Sequence, residues 1–233
     1  MREIVFDTET TGLNANGGDR LVEIGCIEMI GRVETGKTYH VYLNPERPMP
    51  AEAQAIHGLS DAFLSDKPKF AEVVDDFLVF LGDDSNLVAH NAMFDFGFVD
   101  AELKRAGRPL LDRVRMVDTI AMARKLHPGA KHSLDALCTR YGVDRSHRVK
   151  HGALLDAELL AQLYVEMTGG RQIGLGLGSA ASSSVAPDND ATSIDRSDRP
   201  FRAPRPHVAT VEELARHAEF IATIDNALWL QQA

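Results

Sequence analysis

Cysteine is nearly absent from this chain. Cys26 and Cys138 stand far apart and outside any Cys-x-x-Cys spacing, which excludes a zinc ribbon or a disulfide scaffold and suits a reducing compartment. Long apolar runs are missing as well, and none approaches the ~20 residues of a membrane span. The start lacks the basic stretch, apolar stretch and cleavage site of a secretory signal. Together these absences predict a cytoplasmic protein. A basic excess is also lacking: 34 Asp and Glu against 25 Lys and Arg give a formal charge of −9. That is awkward for a chain holding nucleic acid by counterion release alone. It does not exclude nucleic acid, because a carboxylate-rich site is far less acidic once loaded with metal ions. It does predict a weak hold, supplemented by a partner. What remains is an ordinary globular composition, 44% hydrophobic and 25% charged over 233 residues. That suffices for one sizeable domain with an appendage, or for two small domains.

Three apolar segments open the chain, Glu3 to Asp7, Leu21 to Ile30 and Thr38 to Leu43. Gly- and Asn-rich turns separate them, the pattern of a β-meander. Helical spacing follows near Ala51 to Ile56 and from Phe70 to Leu81. Next come a short strand, Leu87 to Ala89, a helix from about Met93 to Ala106, and a strand around Val114 to Val117. Further helices are expected near Thr119 to Lys125, Ser133 to Tyr141 and Ala153 to Met167. A meander followed by β-α-β-α predicts an α/β domain with a mixed sheet, over residues 1–168.

The composition changes at Gly169-Gly170. Residues 169–206 are rich in Gly, Ala, Ser, Asp, Arg and Pro, which predicts a flexible linker. In residues 207–233 helical spacing returns through Val211, Leu214, Ala218, Ile221 and Leu228, and Thr210 with Glu213 forms a capping box. A lone amphipathic helix on a tether has no core of its own, so it either folds back or docks on a partner. Residues 169–233 carry a net charge of −2, leaving −7 for the first domain. Neither part is a basic arm.

The chemistry begins at the end of the first strand, in Phe6-Asp7-Thr8-Glu9-Thr10-Thr11-Gly12. Strand side chains alternate, so Asp7 and Glu9 point the same way. Two carboxylates aimed at one spot repel unless a cation lies between them, and hard oxygen ligands suit magnesium or manganese. A frayed strand with two solvated acids is the plainer alternative. In the helix after His151, Asp156 shares a stripe with Leu160, Leu163 and Met167, and an acid on a buried stripe is usually paired or metal-bound. Glu158 falls off that stripe. In His90-Asn91-Ala92-Met93-Phe94-Asp95, Asp95 shares a face with Phe98, Val99 and Ala106, though a first-turn acid also suits the helix dipole. Four acids from three elements suffice for two divalent ions, the arrangement used for in-line attack on phosphate. His151, before the last helix, is placed to take a proton from the attacking water.

Asp-x-Glu, then His-Asn-x-x-Phe-Asp, then His-x-x-x-x-Asp resembles the histidine-containing branch of the DEDD superfamily of 3′→5′ exonucleases, over residues 1 to about 168. Within that branch the likeness is to the proofreading (epsilon) subunits of bacterial DNA polymerase III. The resemblance implies a ribonuclease H-like fold, with a mixed five-stranded sheet in order 3-2-1-4-5. It implies two Mg²⁺ or Mn²⁺ on Asp7, Glu9, Asp95 and Asp156, and His151 as general base. It also implies that Thr10, Thr11, Gly12 and His57 hold the terminal nucleotide, with Asn91 and Phe94 beside the substrate. For His57, a purely structural role in its turn stands against this. Asp118 is read as the cap of the next helix.

The implied activity is removal of nucleotides from a mispaired or single-stranded 3′ end of DNA. The implied partners are the polymerase catalytic (alpha) subunit through residues 207–233, the sliding clamp and a small theta-like subunit. Gln172 to Leu177 loosely resembles a clamp-binding peptide, with Leu177 in place of an aromatic residue. Arg145, His147, Arg148 and Lys150 form a basic loop that either holds phosphates or is simply solvated. The alternatives are a stand-alone repair or RNA-trimming exonuclease of the same branch, and a non-catalytic replisome scaffold. Intact acids with His151 speak against the scaffold.

Overall fold

In the computed structural model residues 1–146, 148, 150–170 and 208–224 are described. Two compact units divide the chain, Met1–Leu177 and Gly178–Ala233. In the first, β1 (Arg2–Thr10), β2 (Leu21–Ile30) and β3 (Val33–Tyr42) form the antiparallel meander. Gly31 and Arg32, both with positive φ, make its second turn, the backbone that a tight hairpin requires. Arg32 keeps this unusual conformation while its guanidinium donates to the Thr168 carbonyl at 2.7 Å.

Helices α1 (Ala51–His57), α2 (Asp61–Leu64) and α3 (Phe70–Leu81) come next, then β4 (Asn86–Ala89), α4 (Ala92–Arg105) and β5 (Met116–Asp118). The unit closes with α5 (Thr119–Leu126), α6 (Leu134–Tyr141) and α7 (Ala153–Met167). β4 runs parallel to β1, and β5 runs parallel to β4. The resulting five-stranded sheet has the order β3-β2-β1-β4-β5, as the resemblance implies.

Strand alternation divides the core between the two faces of this sheet. Ile4 and Phe6 pack with Phe70, Val74, Phe77, Phe96 and Val99 from α3 and α4. Val5 packs on the other face with Leu160, Leu163 and Met167 of α7. The same alternation turns Thr8 toward α4, and Asp7 and Glu9 toward α7. A register shift between Glu9 and Thr10, which pairs Thr10 with Leu21 rather than Val22, comes just before the turn that follows.

Three strands differ from expectation. β1 continues to Thr10 because Thr8 and Glu9 still find partners in Ile24 and Glu23. β3 begins at Val33 rather than Thr38: its first half is an exposed polar edge strand, and that half carries no apolar alternation. β5 is shorter than expected, because Arg113–Arg115 form a 3-10 turn capped by Asp112. The four-residue α2 was not anticipated. Its signal was Ser60, whose hydroxyl accepts from the Phe63 amide.

Gly169 and Gly170 both have positive φ and stop α7. In the second unit, α8 (Val211–Ala222) starts with the expected Thr210–Glu213 capping box. Val211 and Leu214 lie exposed on it. Gln172 to Leu177, Leu228 and the sole tryptophan, Trp229, lie outside the described residues. Among the described residues no helix is long and apolar enough to cross a membrane.

Candidate active site

Three elements deliver the acids to one end of the sheet. β1 carries Asp7 and Glu9 at its C-terminal end, beside β4, and α4 starts immediately after β4 with Asp95 in its first turn. Asn91, in the left-handed conformation with its backbone N–H donating to Asp118 Oδ1 (3.2 Å), turns the chain from β4 into α4. Asn is among the few residues that tolerate this backbone. Asp118 does cap α5, accepting from the Ile120 amide at 2.9 Å.

α7 approaches from the other side and brings Asp156. Its first turn lies directly on Gly25 of β2, the residue opposite Asp7. A Cβ at Gly25 would lie 2.2 Å from the Leu154 nitrogen and 2.4 Å from the Ala153 carbonyl carbon. Only glycine lets the helix start come this close to the sheet.

The convergence is electrostatically costly. Asp95 and Asp156 are 2% and 3% exposed. Burial drives the Asp7 carboxyl well above its usual range, and Asp95, Asp156 and Glu9 push it further. Burial, then Asp156 and Glu23, raise Glu9 to about 8. Burial raises Asp95 to about 7 against the Thr8 hydroxyl, which donates to its Oδ1 at 2.7 Å. Carboxyls crowded into this state favour either protons or a cation. Ligand atoms of Glu9, His151 and Asp156 lie within 4.8 Å of one another. Hard carboxylate oxygens suit a divalent ion, so the acids fit the metal that the resemblance implies, with His151 beside it, and its uptake would expel protons.

One cation sits at the centre. Arg148 donates from Nε to Asp156 Oδ1 and from NH2 to Asp156 Oδ2, both at 2.6 Å, and from NH1 to Asp135 Oδ1 at 2.8 Å. His151 is half exposed, its Nδ1 2.7 Å from Arg148 NH2 and 3.3 Å from Asp156 Oδ2. Of the remaining loop cations, Arg145 pairs with Asp135 at 2.9 Å. Lys150 lies over Gly58, at the end of α1. His147 is outside the described residues. The loop therefore turns its arginines onto acids rather than presenting them together to solvent.

A second cleft of about 670 Å³ adjoins this centre, lined by Thr10, Thr11, Gly12, Leu13, Ile56, His57 and Phe94. Phe94 also lines the acidic centre, so the two share a wall. The turn that forms the cleft floor is held by Asp19, which accepts from Thr11 Oγ1 (3.3 Å), the Asn14 amide (3.0 Å) and Arg47 NH1 (2.7 Å). A Cβ at Gly12 would lie 2.4 Å from Asp19 Oδ2, so any larger residue there would displace the carboxylate that holds the turn.

His57 is 6% exposed. Its Nδ1 accepts from the Leu59 amide at 3.0 Å, so the neutral ring carries its proton on Nε2. That Nε2 is buried with no acceptor in good hydrogen-bonding geometry; burial lowers the ring's pKa, and the Thr10 backbone, its weak partner, works against that fall.

The structure thus brings together Asp7, Glu9, Asp95, Asp156 and His151, with Asn91 beside them, and places Thr10, Thr11, Gly12 and His57 around the adjoining cleft. Several participants had no motif. Thr8, Asp135 and Asp19 are polar partners of motif residues, and only the fold makes them neighbours. Leu13 and Ile56 are 86% and 54% exposed in the cleft wall. Their signal was large apolar residues beside turn motifs.

The comparisons with known proteins agree with this geometry. A family model described as Exonuclease (RNase_T) matches residues 4–164. "DNA polymerase III subunit epsilon" of Rickettsia felis is 49% identical over 229 residues, covering 96% of this chain and 97% of that protein. The protein of the same description from Escherichia coli K12 is 44% identical over 223 residues, covering 93% and 90%. Among solved structures, Exonuclease X in complex with 5′ overhanging duplex DNA superposes with TM-score 0.56 at 28% identity, covering 71% of this chain and 90% of that one. The nuclease domain of 3′hExo, described as a DEDDh family member bound to rAMP, has TM-score 0.62 at 14% identity over 71% and 90%, a likeness of fold alone. With sheet order and near full-length relatives in agreement, the chain belongs to the RNase_T exonuclease family, beside the epsilon subunits of bacterial DNA polymerase III.

Proposed function

We propose that the chain is the proofreading 3′→5′ exodeoxyribonuclease subunit of a replicative polymerase, releasing nucleoside 5′-monophosphates one at a time. The observation that carries this is the meeting of Asp7, Glu9, Asp95, Asp156 and His151 beside a cleft walled by His57 and Phe94. The four carboxylates would hold two Mg²⁺ or Mn²⁺. When bound, such ions make water nucleophilic near neutral pH and offset charge on the attacking and leaving oxygens.

The chain's own residues do the rest. Leu13, Ile56 and Phe94 offer apolar surface to the terminal base. His57 Nε2–H donates to an oxygen of the terminal nucleotide, and the Thr10–Gly12 turn bounds the cleft that receives it. His151 accepts the proton of the attacking water. Cleavage needs a strand end free of its complement, so a mispaired end, which unpairs at less cost, is preferred.

The relatives support a role for the tail. The Rickettsia felis protein aligns with 96% of this chain, which carries most of residues 207–233 into the likeness. That segment would dock on the polymerase catalytic (alpha) subunit. Contacts of the first unit with a small theta-like subunit, and of Gln172 to Leu177 with the sliding clamp, belong to the same reading.

The test is digestion of a 5′-labelled DNA primer with a mismatched 3′ end in Mg²⁺, beside Asp7→Ala, a matched primer and an RNA strand. A ladder of shortened DNA, abolished by Asp7→Ala and slower on the matched end and on RNA, is expected. Clean RNA trimming without DNA shortening would move the chain to the RNA-processing members of its branch. Inactivity on both would make it a scaffold.

A further inference from the structure

We propose that Arg148 is an internal counter-cation that holds the centre in an off state and competes with the divalent ion for Asp156. The inference rests on the metal reading above and goes beyond it.

Arg148 covers both oxygens of Asp156 at 2.6 Å each. A carboxylate retains lone pairs when a guanidinium binds it side-on. Even so, a divalent ion on either oxygen would lie within a few ångströms of a fixed positive charge in a buried site, where screening is weak. The two cations therefore exclude one another. Arg148 is 10% exposed at its side chain and has a second anchor, Asp135 on α6 at 2.8 Å. It is thus a seated group with a resting place to withdraw to, and Asp135 is 48% exposed, on the solvent side.

The contact with His151 points the same way. A guanidinium can only donate, so NH2 at 2.7 Å from Nδ1 makes that nitrogen an acceptor. The proton of the neutral ring then sits on Nε2, and neither nitrogen is free to take a proton from water. If Arg148 withdraws, Nδ1 is released. With Arg148 seated, Asp156 is covered and the accepting nitrogen of His151 is occupied. One side chain thus holds both the metal ligand and the base out of use. In exchange it offsets repulsion among Asp7, Glu9 and Asp156, for Arg148 is the cation whose field lowers both Asp7 and Glu9.

The role predicts a metal affinity that rises when Arg148 is removed, the opposite of a residue that helps to hold the ion. The experiment is Mn²⁺ titration by calorimetry, with thermal melting with and without Mn²⁺, on the full chain and on Arg148→Gln and Arg148→Lys. Circular dichroism would establish that each variant is folded. Arg148→Gln is expected to bind Mn²⁺ about 5- to 10-fold tighter, to melt lower without Mn²⁺, and to gain more from Mn²⁺ than the wild type. Arg148→Lys, which keeps the charge but not the two-point contact, should fall between them even if Arg148→Gln fails to fold. Equal or weaker Mn²⁺ binding by the folded variants would overturn the proposal and leave the exonuclease reading standing. No Mn²⁺ binding by the wild type would overturn both.

Discussion

At the scale of single residues, the proposed function separates the acids that would hold metal from His151, which would move a proton. His151 is the half-exposed member of the centre, within reach of Asp156. As general base, its replacement by Gln should lower kcat by ~10²–10⁴ while Mn²⁺ affinity stays within a few-fold of wild type. A matching fall in Mn²⁺ affinity, read by the same calorimetry, would make His151 a ligand instead. Motif residues were legible because their chemistry is costly anywhere else: two same-facing carboxylates ending a buried strand, and Asp156 on an apolar stripe. Thr8 was not legible, because a threonine between two acids has no distinguishing pattern. Arg148 was visible only as one cation in a basic loop. That it turns inward depends on Asp135, which α6 places beside α7, a neighbourhood no local spacing encodes.

At the scale of elements, α7 acts through the backbone it presses on. Gly25 lets the helix start lie against β2, and that approach brings Asp156 to Asp7 across the sheet. Gly25→Ala forces α7 outward, at a cost of ~1–3 kcal/mol for an overpacked contact, and carries Asp156 with it. The expected result is a lower melting temperature, with kcat and Mn²⁺ affinity both reduced by an order of magnitude or more. A variant that melts lower but cuts and binds Mn²⁺ normally would show that α7 can shift without moving its acid. Helices with regular apolar stripes and caps, such as α3 and α7, were readable to within a residue. The edges were not. β3 gains its first half from pairing Val33 and Glu34 with Ile30 and Met29, and an exposed edge strand needs no apolar alternation. β1 extends through Thr8 and Glu9, whose place in the sheet is set by β2.

At the scale of the molecule, the change of composition at Gly169-Gly170 falls where two left-handed glycines stop α7. The two compact units lie on either side of Leu177. A chain ending at residue 177 should therefore melt cooperatively and digest mismatched primers within a few-fold of the full-length rate. It should no longer co-elute with the polymerase catalytic subunit. Retained co-elution would place the docking surface on the first unit and leave α8 without its proposed task.

The order in which the acids occur along the chain has a consequence for synthesis. Asp7 is made before Asp95, which comes with α4, and Asp156 arrives with α7, the element that closes the first unit. Translation proceeds from the N-terminus, so a nascent chain carries an incomplete set of the proposed ligands until α7 has left the ribosome and settled on Gly25. A truncated or stalled product is thereby a disarmed nuclease, and the capacity to shorten DNA arrives only with the finished domain.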